Sequence, residues 1–152
     1  MDPTVLQQAQ RHLARRDKIL RPIIRTIGPC TLCAEPNHFA ILVRAIVSQQ
    51  ISTKAAEAIS GRLLNAVGRF QPKRILATPE ATLRGAGLSQ NKALSIRDLA
   101  EKCQDGTIPF RKLKDMEDEA IIERLVQVRG IGVWTAEMFL IFSLGRPDVF
   151  PV

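Results

Sequence analysis

Apolar residues along this chain recur at helical spacing, with no alternating runs of the kind that mark strands. Phe39, Leu42, Val43, Ile46 and Val47 occupy positions i, i+3, i+4, i+7 and i+8, a single core-facing stripe. Residues 4–16 and 18–27 read as two amphipathic helices, broken near Asp17 and stopped by Gly28-Pro29. The stripe ends at the polar run Ser48-Gln49-Gln50-Ile51-Ser52, and a further helix follows from Thr53 to about Val67. Thr78-Pro79-Glu80 reads as a helix start, with a hydroxyl cap, a proline in the first position and a carboxylate in the first turn. Leu83 to Ser89 reads as a turn, after which Ser89 caps a helix running to Lys102. A loop spans Gly106 to Pro109, and Asp115 is expected to cap the next helix. No repeats or low-complexity segments interrupt the pattern. The fold class expected is all-α.

The densest local signal lies near the C-terminal end. Ile121, Leu125 and Val128 form a helical stripe over residues 120–128, and Val133 to Leu144 is apolar on nearly every side, which predicts a central helix. Between them stands Arg129-Gly130-Ile131-Gly132. The glycines let the backbone approach an anion, and the next helix begins with unpaired amides at the positive end of its dipole. Gly130, Gly132, Trp134 and Thr135 are therefore candidate phosphate contacts, while Ile131 can turn back between the two helices. A dinucleotide fingerprint needs a preceding strand and a third glycine, and Thr135 stands where that glycine belongs. The turn reads instead as a helix-hairpin-helix that grips a nucleic-acid backbone. The alternative is a bare helical hairpin.

Composition narrows the partner. The 152 residues are 45% apolar, enough for a real core, and no apolar run is long enough to cross a bilayer. The start shows no secretion signal, so a cytoplasmic, nucleoid or nuclear protein is expected. Lys and Arg number 22 against 15 Asp and Glu, a formal charge of +7 that suits a polyanion. Arg11, Arg15, Arg16, Lys18, Arg21 and Arg25 form a basic N-terminal stretch, either a solvated face or a secondary DNA contact. The cysteines number three, which makes no disulfide framework. Cys30-x-x-Cys33 has metal-like spacing, but Cys103 alone follows and no histidine pair completes the set. His12 and His38 stand alone and read as surface or satisfied histidines.

Three segments occur in order: Arg44-Ala-Ile-Val-Ser-Gln-Gln-Ile-Ser52, Leu83-Arg-Gly-Ala-Gly-Leu-Ser-Gln-Asn-Lys-Ala93 and Gly130-Ile-Gly-Val-Trp-Thr-Ala136. With the tail Asp148-Val-Phe-Pro-Val152, they resemble the helix-hairpin-helix GPD superfamily of DNA glycosylases, in its 3-methyladenine DNA glycosylase II branch. The resemblance implies two helical lobes with the site between them. It places a glycosylase domain over 35–152, its hairpin over 120–144, and N-terminal helices over 1–34 packing on the core, in the compact form without an added β domain. It also implies excision of alkylated purines, of the 3-methyladenine and 7-methylguanine type, from double-stranded DNA by a monomer.

Such an enzyme must extrude a nucleotide, fill the gap and hold the distorted backbone. By the family pattern Gln50 or Ile51 enters the base stack and Gln49 reads neighbouring bases; the other reading is a polar turn with Ile51 in the core. The family holds a monovalent cation on main-chain carbonyls, here those of Val126, Val128 and Gly130. Strand-cutting members carry a lysine where Trp134 stands, because a Schiff base needs an amine. Tryptophan implies water as nucleophile and no lyase activity, and it also argues against the branch with an iron–sulfur cluster. No cofactor is required. The indole face suits a cationic base by about 0.5–2 kcal/mol, although a lone Trp is also an ordinary core residue. Phe39 and Met138 are further candidates for the base pocket or for plain core. The catalytic aspartate is expected one or two residues past Val152, so this chain would lack both it and the C-terminal part of the fold and be inactive. Asp148 is a fallback better matched to a loop position, and Glu137 reads as a solvated charge or a structural partner. The rival function is a non-catalytic helix-hairpin-helix DNA-binding module.

Overall fold

The computed structural model describes residues 2–151, which contain no strand. Its helices are α1 (Pro3–Arg16), α2 (Leu20–Ile27), α3 (His38–Ser48), α4 (Thr53–Val67), α5 (Pro72–Ala77) and α6 (Glu80–Gly85). They continue with α7 (Gln90–Gln104), a 3₁₀ turn (Leu113–Asp115), α8 (Asp118–Leu125) and α9 (Val133–Phe139), which runs into a π-helical segment (Leu140–Leu144). The all-α expectation holds. Helix α3 lies at the centre, against α4, α7 and α9, and all five residues of its predicted stripe are buried. One hydrophobic core runs from Phe39 to Leu140.

Side-chain caps explain several helix starts. Asn37, Ser52 and Ser89 each accept a backbone N–H from the first turn of α3, α4 and α7. Two expected caps are corrected. The Thr78 hydroxyl turns back to the Arg74 carbonyl at 2.8 Å, and α6 starts after Pro79 with no side-chain cap. Asp115 closes the 3₁₀ turn, and α8 starts three residues later, after Glu117. In both cases the residue at the cap position, Pro79 or Glu117, makes no side-chain cap, so the helix start is set by tertiary packing and not by a capping bond.

The N-terminal helices differ from expectation too. Helices α1 and α2 pack chiefly on one another and bury no side chain, rather than docking an apolar face into the core. The strap that follows is fastened at Glu35, whose N–H donates to the Phe142 carbonyl at 3.0 Å. Phe142 lies in the last turn of the π-helical segment, where carbonyls lack an intrahelical partner, and Pro147 beyond it has no N–H to offer. Gly145, at φ 70 and ψ 32, then ends the helix in a left-handed cap.

The same segment buries Ser143, whose hydroxyl sits 2.7 Å from His38 Nδ1 and 3.3 Å from the Glu35 carbonyl. The His38 ring also lies against Phe110 and Phe139. Burial, reinforced by Lys114, holds the imidazole pKa below its ordinary value. Protons therefore bind the unfolded chain more readily, and stability falls as pH drops below about 6.5 toward the folded pKa. His38→Gln should flatten that part of a melting-temperature profile. An unchanged profile would show that His38 contributes nothing to acid sensitivity.

Candidate nucleic-acid interface

The hairpin is built as its pattern predicts, with one difference of length. Helix α8 ends at Leu125, three residues before the end of the predicted 120–128 helix, and residues 126–132 carry the turn. Ile131 is buried at 4% exposure and belongs to the core, so it locks α8 to α9. Gly130 has φ 77, a left-handed conformation that glycine adopts at little cost. Gly132 is extended, at φ −97 and ψ 176.

The amides of Gly130, Gly132, Val133, Trp134 and Thr135 have no hydrogen-bond acceptor among the described residues; that of Ile131 donates to the Val128 carbonyl. Gly130, Gly132, Val133 and Trp134 are exposed and Thr135 is half-buried. A row of outward, unpaired N–H groups at a helix start is a ready anion site.

Helix α9 departs from its predicted central place. Ala136, Phe139 and Leu140 face the core, but Val133 is 53%, Trp134 60% and Phe142 44% exposed. An apolar run does not by itself say which side is covered, and here the α3 and α8 contacts cover only one. Trp134 is thus an offered indole, not a core aromatic. Met138, one turn on, is half-buried on the same side. Phe39 does not join them. It is buried and edges a separate hollow with His38, Phe70 and Phe110.

The polar turn after α3 lies against the hairpin. Gln49 Nε2 donates to the Gly130 carbonyl at 2.8 Å. Gln50 takes φ 59, the one left-handed non-glycine residue among those described. Such strain costs about 1–3 kcal/mol and persists where surrounding structure holds it, often at functional sites. Ile51 is 38% exposed and outside the core, against the reading that buries it.

Helix α7 supplies a scaffold that sequence reasoning missed. Lys92 Nζ donates to the carbonyls of Val47 and Gln49, each at 2.8 Å, and so closes the end of α3 beside the polar turn. Desolvation lowers its pKa. Asp98 accepts the Arg129 N–H at 2.7 Å and pairs with Lys102 at 2.5 Å. Arg129 in turn reaches the Asn91 side chain at 3.0 Å. Only the Gln-Asn-Lys part of the second segment hinted at these roles, because contacts of this kind join residues about 30 to 45 apart.

The remaining candidates separate readily. Asp148 is exposed and makes no hydrogen bond among the described residues. Glu137 is half-buried on α9, with Oε2 shielded from solvent and unpartnered. No group of three or more His, Cys, Asp or Glu side chains among the described residues could hold a metal ion. Cys30 and Cys33 are exposed and free, while burial, with Asp105 adding, pushes the Cys103 thiol up to about 12. A thiol reagent at neutral pH should label Cys30 and Cys33 in the native protein well before half-buried Cys103. Equal labelling rates for all three would contradict the raised pKa of Cys103. No described helix is long and apolar enough to cross a membrane.

Known proteins resemble this chain in sequence and in fold. Residues 43–152 match the family described as HhH-GPD superfamily base excision DNA repair protein. DNA-3-methyladenine glycosylase 1 of Schizosaccharomyces pombe is 36% identical over 97% of this chain and 68% of its own length. A DNA-3-methyladenine glycosidase from Bacillus halodurans is 41% identical, with a TM-score of 0.80 over 91% of this chain. The chain spans 64% of that protein's length. The S. pombe 3-methyladenine DNA glycosylase Mag1, solved in complex with abasic DNA, gives a TM-score of 0.85 at 36% identity, over 95% of this chain and 73% of that one. With the hairpin, the polar turn and the scaffold of α7 in place, the chain belongs to the HhH-GPD superfamily of base excision DNA repair proteins.

Proposed function

We propose that this protein is a monofunctional DNA glycosylase that flips alkylated purines out of duplex DNA and hydrolyses their N-glycosidic bond. The observation that carries the reading is the contact between Gln49 and Gly130, which ties the strained turn to the unpaired amides of the hairpin. One rigid unit then holds a phosphate and presents Gln50 and Ile51 to the gap that the extruded nucleotide leaves. Gln49, with its Nε2 engaged on Gly130, keeps Oε1 for the neighbouring bases.

Trp134 and Met138 form the side that receives the base. The exposed indole attracts a cationic 3-methyladenine or 7-methylguanine ring by about 0.5–2 kcal/mol. Having no amine, it forms no Schiff base with the sugar, so water is the nucleophile and the strand is left intact. The positive charge already weakens the glycosidic bond. The chemistry left to the protein is a fixed carboxylate beside the oxocarbenium-like sugar, with electrostatic stabilisation of about 2.7–4 kcal/mol. Asp148 is exposed and no hydrogen bond among the described residues holds it, which favours the aspartate that the family pattern places just past Val152.

By the family pattern the carbonyls of Val126, Val128 and Gly130 would hold a monovalent cation. Val128 accepts the Ile131 amide and Gly130 accepts Gln49, which leaves each an oxygen lone pair, and Val126 accepts no backbone N–H outside the helices. Such an ion would add positive charge to the phosphate site.

The test is release of free bases from methylated duplex by this chain and by one continued past Val152 through the next turn. Release at least about a hundredfold faster from the longer chain is expected. Equal release would place the carboxylate within the 152 residues and make Asp148 the first suspect. No release by either, with duplex binding intact, would favour a non-catalytic DNA-binding module.

A further inference from the structure

The basic N-terminal stretch has no part in the site described above. Residues 2–34 hold six Lys and Arg against Asp2 and Asp17, a net +4 of the chain's +7. Both carboxylates serve as caps: Asp2 accepts the Thr4 N–H, and Asp17 accepts those of Ile19 and Leu20. Neither neutralises an arginine. The ion pairs among the described residues are Lys102–Asp98 and Arg146–Asp118, both far along the chain from α1.

Cations elsewhere are often structural. Arg62, Arg97, Arg124 and Arg146 each donate to backbone carbonyls, and Arg21 closes the end of α1 on Ala14 and Arg15. Arg11, Arg15 and Arg16 do nothing of the kind. Arg11 makes only a 3.3 Å bond to Gln7, one turn away on the same helix.

Their placement is directional. At 100° per residue, Arg11, His12, Arg15 and Arg16 lie with Gln8 on one side of α1, opposite the side where half-buried Leu6, Gln10 and Ala14 lie. The five outward residues line a hollow of about 500 Å³. Arg15 and Arg16 also answer the dipole at the helix end, but Arg11 and His12 stand a turn earlier, where that account does not reach. The three arginines of the strip span about 7.5 Å by helical rise. One DNA strand places a charge every ~3.4 Å along the axis, so the strip matches about three phosphates.

We propose that the outer face of α1 is a second DNA contact, in which Arg11, Arg15 and Arg16 take the sugar–phosphate backbone of the duplex that the hairpin grips. It rests on the DNA-binding reading of the hairpin. The contact is sequence-independent and adds affinity for undamaged and damaged duplex alike.

The experiment measures fluorescence anisotropy of an undamaged duplex over a salt series. It compares wild type, Arg11→Gln/Arg15→Gln/Arg16→Gln, Gln8→Lys and Gly132→Val. Far-UV circular dichroism checks folding. The triple variant should bind with a log–log salt slope shallower by between about 0.9 and about 2.7, and Gln8→Lys should steepen it by about 0.9. Because Gln8→Lys gains a contact, it decides the matter even if the triple variant folds poorly. If Gly132→Val weakens binding while the slopes of both α1 variants match wild type, the α1 contact is wrong and the hairpin reading stands. No salt-sensitive binding by wild type overturns both. Loss of binding to phosphatidylserine vesicles with an unchanged duplex slope would make the strip a lipid contact and overturn the proposal.

Discussion

Gly130→Val should cost this protein much of its stability, whereas Gly132→Val should leave it folded but weak on DNA. The two glycines sit two residues apart and differ in what a side chain would meet. At Gly130 the backbone has φ 77, a region that costs a β-branched residue about 1–3 kcal/mol. A Cβ there would also stand 3.0 Å from Ser95 Oγ. That hydroxyl is not free to swing away, since Ser95 is 5% exposed and donates to the Asn91 carbonyl at 2.9 Å. Overpacking of this kind adds about 1–3 kcal/mol. The total is a large part of the 5–15 kcal/mol typical of a domain, and the melting temperature should drop by about 5–20 °C.

At Gly132 no heavy atom lies within 4 Å of an added Cβ, and the backbone is extended. Valine fits the fold there. Its methyls would stand beside the amides of Val133 to Thr135, where a phosphate must come close. Losing a charge-assisted contact of about 1.5–3 kcal/mol lowers duplex affinity by about tenfold to a hundredfold, on every sequence alike. Thermal melts and duplex titrations of both variants measure this directly. Unchanged affinity in Gly132→Val would sink the phosphate assignment, and an unchanged melt in Gly130→Val would sink the strain argument.

These contrasts show where sequence stops being readable. The α3 stripe and the position of the hairpin were legible because both depend on local spacing and on glycine, whose roles are set by backbone geometry. Trp134 was visible as a residue but not as an exposed one, because an apolar run around α9 carries no sign of which side its neighbours cover. The Lys92 and Asp98 bonds were invisible for a different reason. A charged residue on an amphipathic helix looks the same in sequence whether it faces water or closes a distant helix end. Caps failed where the helix starts without any side-chain cap, after Pro79 and after Glu117, so that the nearby Thr78 and Asp115 mark the region but not the first residue. The α1–α2 pair shows the converse limit: its apolar stripes were real, yet they bury no side chain.

Shortening the turn after α3 should separate gripping DNA from opening it. In Gln50→Ala/Ile51→Ala the hairpin amides, the Gln49–Gly130 bond and the Lys92 closure all remain. Neither side chain belongs to the core, and alanine at position 50 inherits the same φ 59, so stability should change little. What is lost is the material that fills the gap. Burying an isoleucine contributes about 1.5–3 kcal/mol, so its removal should reduce the preference for an abasic-site duplex over an intact one by about tenfold to a hundredfold. Affinity for intact duplex should stay near wild type, since phosphate contacts supply most of it. A 2-aminopurine placed beside the lesion reports the same event as a rise in fluorescence when its stack opens, and the variant should show a smaller rise. If the variant kept both its lesion preference and its fluorescence change, the wedge would lie elsewhere. The strained Gln50 backbone would then need another account.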